Sequence, residues 1–177
     1  EFCLAMFLVG GTIVLTSRYS TSHFWHIVGR YNITNTSIVP TILHDLLTRA
    51  AEFKKSNFDV TSLKRICIGS APVLPQETMR FYDTFGIRVT QGYGQTETAL
   101  RVAGVPVDTD KKTYRVLVKS NTIGTELANN HLAIMDNQNN EMPEGKEGEI
   151  CISGPILAHG YLNNPEETKG SFVNGWF

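Results

Sequence analysis

Within Gln91-Gly92-Tyr93-Gly94-Gln95-Thr96-Glu97 the chain sets an aromatic ring between two glycines and follows it with a hydroxyl and a carboxylate. Gly92 and Gly94 carry no side chains, so backbone amides beside them can approach a ligand closely. Tyr93 offers a flat face on which a base can stack. Thr96 supplies a hydroxyl for a phosphate, and Glu97 is a hard oxygen ligand of the kind Mg²⁺ accepts alongside substrate phosphates. The stretch suits a purine nucleotide with its metal. Local chemistry alone also fits a solvated turn whose threonine bonds its own backbone. A second short loop, Gly69-Ser70-Ala71-Pro72, has the same small, polar character.

Both loops follow strand-like runs: Arg65 to Ile68 leads into the first and Ile87 to Thr90 into the second. In an open α/β sheet, ligands bind outside the carboxyl ends of the strands, so two such loops can wall one cleft. The upstream sequence supports a sheet of that kind. Thr12 to Thr16 and Thr36 to Val39 are further strand candidates. Phe24, Ile27, Val28 and Tyr31 make one apolar helical face, which Thr21 or Ser22 could cap. Ile42, Leu43, Leu46, Leu47 and Ala50 make another after Pro40, and Pro75 to Phe85 reads as a helix closed by Gly86. Repeated β-α-β order predicts an α/β fold with a mainly parallel sheet flanked by helices. Past Ser120 the helical stripes fade. His131 to Asp136 and Gly148 to Gly154 then predict short strands of a small β subdomain, and Asn164-Pro165-Glu166-Glu167 a capped helix start. The expected division is residues 1–120, a partial α/β nucleotide-binding subdomain, and residues 121–177, a partial small β subdomain.

Composition excludes several classes. The 177 residues are 41% hydrophobic with a net charge of −1, enough for a real core and without the basic footprint of a nucleic-acid binder. Cys3 to Leu15 is too short to span a bilayer, is broken at Gly10-Gly11 and lacks the features of a secretory signal; it reads as a buried helix end, a turn and a strand. Cys3, Cys67 and Cys151 are odd in number and far apart, which predicts reduced, buried thiols and a cytoplasmic location. His23 and His26 have no companion at metal spacing, and His159 reads as a loop residue.

Taken in order along the chain, "GSAP", "QGYGQTE" and "GEICISGPILAHGYLNNPEET" resemble the adenylate-forming superfamily, which includes acyl-CoA synthetases, luciferases and peptide-synthetase adenylation domains. Gln95 between Gly94 and Thr96 looks more like the acyl-CoA synthetase branch, acting on medium- or long-chain fatty acids or on aryl acids. The resemblance implies activation of a carboxylic acid by ATP as an acyl-adenylate, transfer to coenzyme A, and Mg²⁺ as metal. Gly69, Ser70, Ala71 and Pro72 would line the adenine pocket. Gln91, Gly92, Tyr93, Gly94 and Gln95 would form its second wall, with Thr96 on a phosphate and Glu97 on the metal. "TSIVPTILHDLL" resembles a part that helps line the acyl tunnel, and its apolar stripe is equally that of a core helix. The family's lysine-ending phosphate loop, its ribose-binding aspartate and its C-terminal adenylation lysine have no counterpart here, and Lys146 is no substitute. Ser153 stands where many relatives have arginine. The chain therefore resembles a central piece of the large domain, expected to be inactive alone. The alternatives are a non-catalytic nucleotide-binding or scaffold protein, or an adenylation enzyme for aryl or amino acids.

Overall fold

A computed structural model describes residues 2–106 and 108–177. The chain forms two compact units, the first running to Gly92 and resuming over Val105–Gly124, the second comprising Tyr93–Gly104 and Thr125–Phe177. The last boundary is thus at Gly124, against a division expected after residue 120, and the excursion Tyr93–Gly104 groups with the second unit.

Three parallel strands organise the first unit: β1 (Asn35–Ile38), β2 (Arg65–Ile68) and β3 (Arg88–Tyr93), with Ile38 opposite Ile68 and Ile68 opposite Gln91. Ile66, Cys67 and Ile68 are all buried, as expected for a central strand covered on both faces. Helices α1 (Phe2–Leu8), α2 (Thr21–Arg30), α3 (Pro40–Thr48), α4 (Ala50–Lys55), α5 (Pro75–Phe85) and α6 (Lys111–Lys119) complete the unit. Leu43, Leu46 and Leu47 of α3 meet Ile66, Val89 and the aromatic group Trp25, Phe81 and Phe85 in one core. Ring centroids there lie 4.9 Å apart for Trp25 and Phe85 and 4.5 Å for Phe81 and Phe85. Pro40 and Pro75 each open a helix at its first turn, where the N–H that proline lacks would have had no intrahelical partner. Gly86 ends α5 in the left-handed region, at φ 70°.

Several expectations are corrected. Thr12 to Thr16 forms no strand; Leu15 is exposed, and β-branched residues favour a strand only where a sheet receives them. The preceding helix is α1, and its Leu4, Phe7 and Leu8 are exposed rather than buried. Cys3 is likewise exposed, whereas Cys67 and Cys151 are buried, and none of the three forms a disulfide among the described residues. Ser20 occupies the cap position of α2, its hydroxyl bonding the Ser22 and His23 side chains and not a helix amide, while Thr21 is the first helical residue and bonds Asp45. The helix buries Trp25 and Val28, and Tyr31 lies past its end.

In α6 the Asp110 carboxylate accepts hydrogen bonds from the amides of Lys112 (2.7 Å) and Thr113 (3.0 Å) and caps the helix. The Thr113 hydroxyl, then those amides, hold the Asp110 carboxyl below its ordinary pKa. Tyr114 is 1% exposed. Its hydroxyl accepts from the Val89 N–H (2.9 Å) and donates to the Val89 carbonyl (3.0 Å), satisfying both backbone groups of that residue as a neighbouring strand would. Burial first pushes the Tyr114 hydroxyl up to about 12.

The second unit contains the antiparallel pairs β4 (Ala103–Gly104) with β5 (Thr125–Glu126) and β6 (His131–Met135) with β7 (Glu149–Ser153). Ala133, Met135 and Cys151 pack beneath Trp176, and Phe177 exchanges both backbone hydrogen bonds with Ile152. The last helix, α7 (Pro165–Ser171), starts at Asn164, whose side chain accepts from the Glu167 amide. Among the described residues no helix is long and apolar enough to cross a membrane.

Candidate nucleotide-binding site

Because β2 and β3 are parallel and in register, their carboxyl ends deliver Gly69 and Gly92 side by side. A Cβ on Gly69 would come within 3.3 Å of the Gly92 carbonyl oxygen; β3 runs through Gln91, Gly92 and Tyr93, past the end expected at Thr90, so the Gly69 loop meets strand backbone. Ser70 takes up φ 69°, a left-handed conformation uncommon for a residue with a side chain. Ser70, Ala71 and Pro72 are exposed, while Val73 is buried and anchors the loop. The Gln91 carbonyl accepts from the Val105 N–H at 3.2 Å. The first unit thus brings Gly69–Pro72 to the same sheet edge as Gln91 and Gly92.

Tyr93 to Glu97 belong to the second unit, where the segment closes tightly on itself. A Cβ on Gly94 would lie 1.3 Å from the Leu100 carbonyl oxygen, so only glycine fits there. Gln95 starts a single 3₁₀ turn, Thr96–Thr98, with reciprocal capping: its side chain accepts from the Thr98 amide, and its own amide donates to Thr98 Oγ1 at 3.1 Å. Ala99 (φ 50°) and Leu100 (φ 90°) both carry left-handed backbone, a strain of about 1–3 kcal/mol each that the surrounding bonds must hold. Leu100 N–H donates back to the Gln95 carbonyl at 2.8 Å. The result is a rigid turn with Thr96 exposed and Glu97 half-buried at its crest.

Glu97 is held at two points. Its carbonyl accepts from the Ala158 N–H at 2.7 Å, and Oε1 accepts from the Tyr161 hydroxyl at 2.8 Å. The carboxylate in turn, ahead of burial, raises the Tyr161 hydroxyl above its ordinary pKa. Tyr161 escapes sequence reasoning, because 64 residues separate the two partners and nothing local marks the pair. Tyr93 and Gln95 also line a cavity of about 650 Å³, with Met135, Cys151, Trp176 and Phe177 among its other walls.

The donor set bears on a metal. No cation pairs with Glu97 among the described residues, and no three His, Cys, Asp or Glu side chains gather anywhere among them. One half-buried carboxylate with Oε1 taken and Oε2 unengaged fits Mg²⁺, which uses one or two carboxylates and draws its remaining ligands from phosphates and water.

The sequence pattern of the family described as "AMP-binding enzyme" matches residues 1–162. The chain belongs to this family. Within it, the chain is 29% identical over 168 residues to a medium/long-chain-fatty-acid–CoA ligase of Mycobacterium tuberculosis, covering 94% of this chain and 28% of the relative. It is 31% identical over 175 residues to a feruloyl-CoA synthase of an Amycolatopsis species, covering 99% and 34%. The fold superposes on O-succinylbenzoate coenzyme A synthetase of Bacillus subtilis, solved in complex with AMP, with a TM-score of 0.81 at 25% identity, over 98% of this chain and 33% of that one. This AMP-binding family chain therefore spans about a third of the length of the curated relatives it matches. The mainly parallel sheet flanked by helices is the architecture of the adenylate-forming enzymes.

Proposed function

We propose that the protein carrying this chain is an ATP-dependent acid–thiol ligase that activates a carboxylic acid as its acyl-adenylate and passes the acyl group to coenzyme A. The observation that carries the reading is the family match over residues 1–162, which spans both glycine loops and Glu97. The relatives named above as fatty-acid and feruloyl ligases point to a fatty or aryl acid as the substrate class. Cysteines at positions 3, 67 and 151 that form no disulfide among the described residues support a cytoplasmic location.

In this reading Gly69, Ser70, Ala71 and Pro72 meet the adenine, and the exposure of Ser70, Ala71 and Pro72 leaves them available to it. Gln91 and Gly92 present backbone, Tyr93 its ring, and Gly94 and Gln95 fix the turn that follows. Thr96 directs its hydroxyl to a phosphate and Glu97 its carboxylate to Mg²⁺. The metal, when bound, neutralises charge on the phosphates. Displacement at phosphorus asks the protein mainly for in-line positioning and preorganised charge. The closed turn answers that need, since Thr96 and Glu97 are set before substrate arrives and little reorganisation remains. No side chain of the turn has to move a proton.

The test uses the full-length protein with ATP, Mg²⁺, coenzyme A and a panel of fatty and aryl acids. Pyrophosphate release and loss of free thiol should both require an acid. Nucleotide binding without acid-dependent release on any member of the panel would favour a non-catalytic binding protein instead.

A further inference from the structure

The segment from Ala158 to Thr168 is more elaborately built than a surface connection requires, and its products converge on Glu97. Gly160 adopts φ +138°, and a Cβ there would lie 2.3 Å from the Thr168 methyl carbon. That absence of a side chain lets Thr168 reach the main chain: Tyr161 N–H donates to Thr168 Oγ1 at 2.8 Å, and the Thr168 hydroxyl donates to the Asn164 carbonyl at 2.8 Å. Asn164 caps α7, which carries Thr168. The Tyr161 ring also packs edge-on against Phe172, with centroids 5.8 Å apart. Its hydroxyl is thereby delivered to Glu97 Oε1 from a fixed base.

We propose that Tyr161 is a positioning residue for the Glu97 carboxylate, holding Oε1 so that Oε2 is presented to the metal. The proposal rests on the reading of Glu97 as the Mg²⁺ ligand. A glutamate has three rotatable side-chain bonds, and a carboxylate paired to no cation would sample several orientations. Two bonds from one loop remove that freedom, Ala158 N–H fixing the Glu97 main chain and Tyr161 O–H its side chain. Hydroxyl-to-carboxylate bonds are charge-assisted, and partners that orient a metal ligand commonly change metal affinity by about 10–100-fold when lost. On this account "AHGYLNNPEET" is the bracket that sets the metal carboxylate of the loop "QGYGQTE".

The experiment compares the full-length protein with Tyr161→Phe, Thr168→Val and Glu97→Gln. Calorimetry measures binding of a non-hydrolysable ATP analogue across a Mg²⁺ titration, and AMP binding without metal. Tyr161→Phe should raise the Mg²⁺ concentration for half-maximal tightening by about tenfold and leave metal-free AMP affinity within about twofold. Thr168→Val, which keeps the Tyr161 hydroxyl and loosens its base, should give a smaller rise in the same direction, and carries the test if Tyr161→Phe does not fold. An unchanged Mg²⁺ requirement in both bracket variants, with a raised one in Glu97→Gln, would overturn the positioning role alone. An unchanged requirement in Glu97→Gln would overturn the metal reading, and the proposal with it. Equal weakening of metal-free AMP binding in Tyr161→Phe would show a general loosening and also overturn the proposal.

Discussion

Replacing Tyr114 with Phe removes one oxygen and exposes how β3 is held. That oxygen satisfies both the N–H and the C=O of Val89, at 2.9 and 3.0 Å, inside a site where the tyrosine is 1% exposed. The variant leaves two buried backbone groups unpaired at about 1–3 kcal/mol each, less the relief of no longer burying a hydroxyl, so a net loss of about 2–4 kcal/mol is expected. The pH dependence supplies an independent check. Folding raises the Tyr114 pKa from its ordinary value near 10 to about 12, so its contribution is fully present below pH 10 and is lost as pH rises through 12. The slope is about 1.4 kcal/mol per pH unit across that window, because the unfolded chain releases the proton first. Tyr114→Phe should abolish it. Urea unfolding followed through Trp25, which sits in the same unit's core, reads the stability, and hydrogen exchange at the Val89 amide reads the local edge. A loss under about 0.5 kcal/mol with Val89 still protected would refute the idea that Tyr114 substitutes for a neighbouring strand.

The turn that β3 runs into yields three further expectations in the full-length protein. Glu97→Gln should slow acid-dependent pyrophosphate release by about tenfold or more, the loss of one charge-assisted contact, and release at the parental rate would remove Glu97 from the metal role. Tyr93→Ala should weaken ATP binding and leave acid affinity nearly unchanged by calorimetry; equal weakening of both would mean a folding defect and not a lost stacking face. Gly94→Ala drives a methyl into the Leu100 carbonyl, so nucleotide affinity should fall by more than in Tyr93→Ala, and an affinity like the parent's would show that the turn can open without cost.

Features encoded over a few neighbouring residues were legible in the sequence. Pro75 and Gly86 bound α5, Asn164 caps α7, and the apolar run before Gly69 is β2, whereas β3 continues past the expected end at Thr90 to Tyr93. The loop residues Gly69 and Gly92 could be placed at one sheet edge because parallel order implies it. Thr12 to Thr16 misled, since β-branched residues declare a preference and not a partner. Helix α6 has little signature in the sequence because its stretch Lys111 to Lys119 is mostly charged and polar, and its one fully buried anchor is Tyr114. The strain at Ala99 and Leu100, the Gly94 approach and the Tyr161 to Glu97 bond depend on chain segments meeting in space, and no periodicity records them.

Adenylate chemistry is read out by the nucleotide product. Full-length protein given ATP labelled at the α-phosphate, Mg²⁺ and a carboxylic acid, with coenzyme A withheld, should form labelled acyl-adenylate and equimolar pyrophosphate. Adding coenzyme A should convert the label to AMP. Labelled ADP with free phosphate, in place of AMP and pyrophosphate, would exclude an acyl-adenylate intermediate.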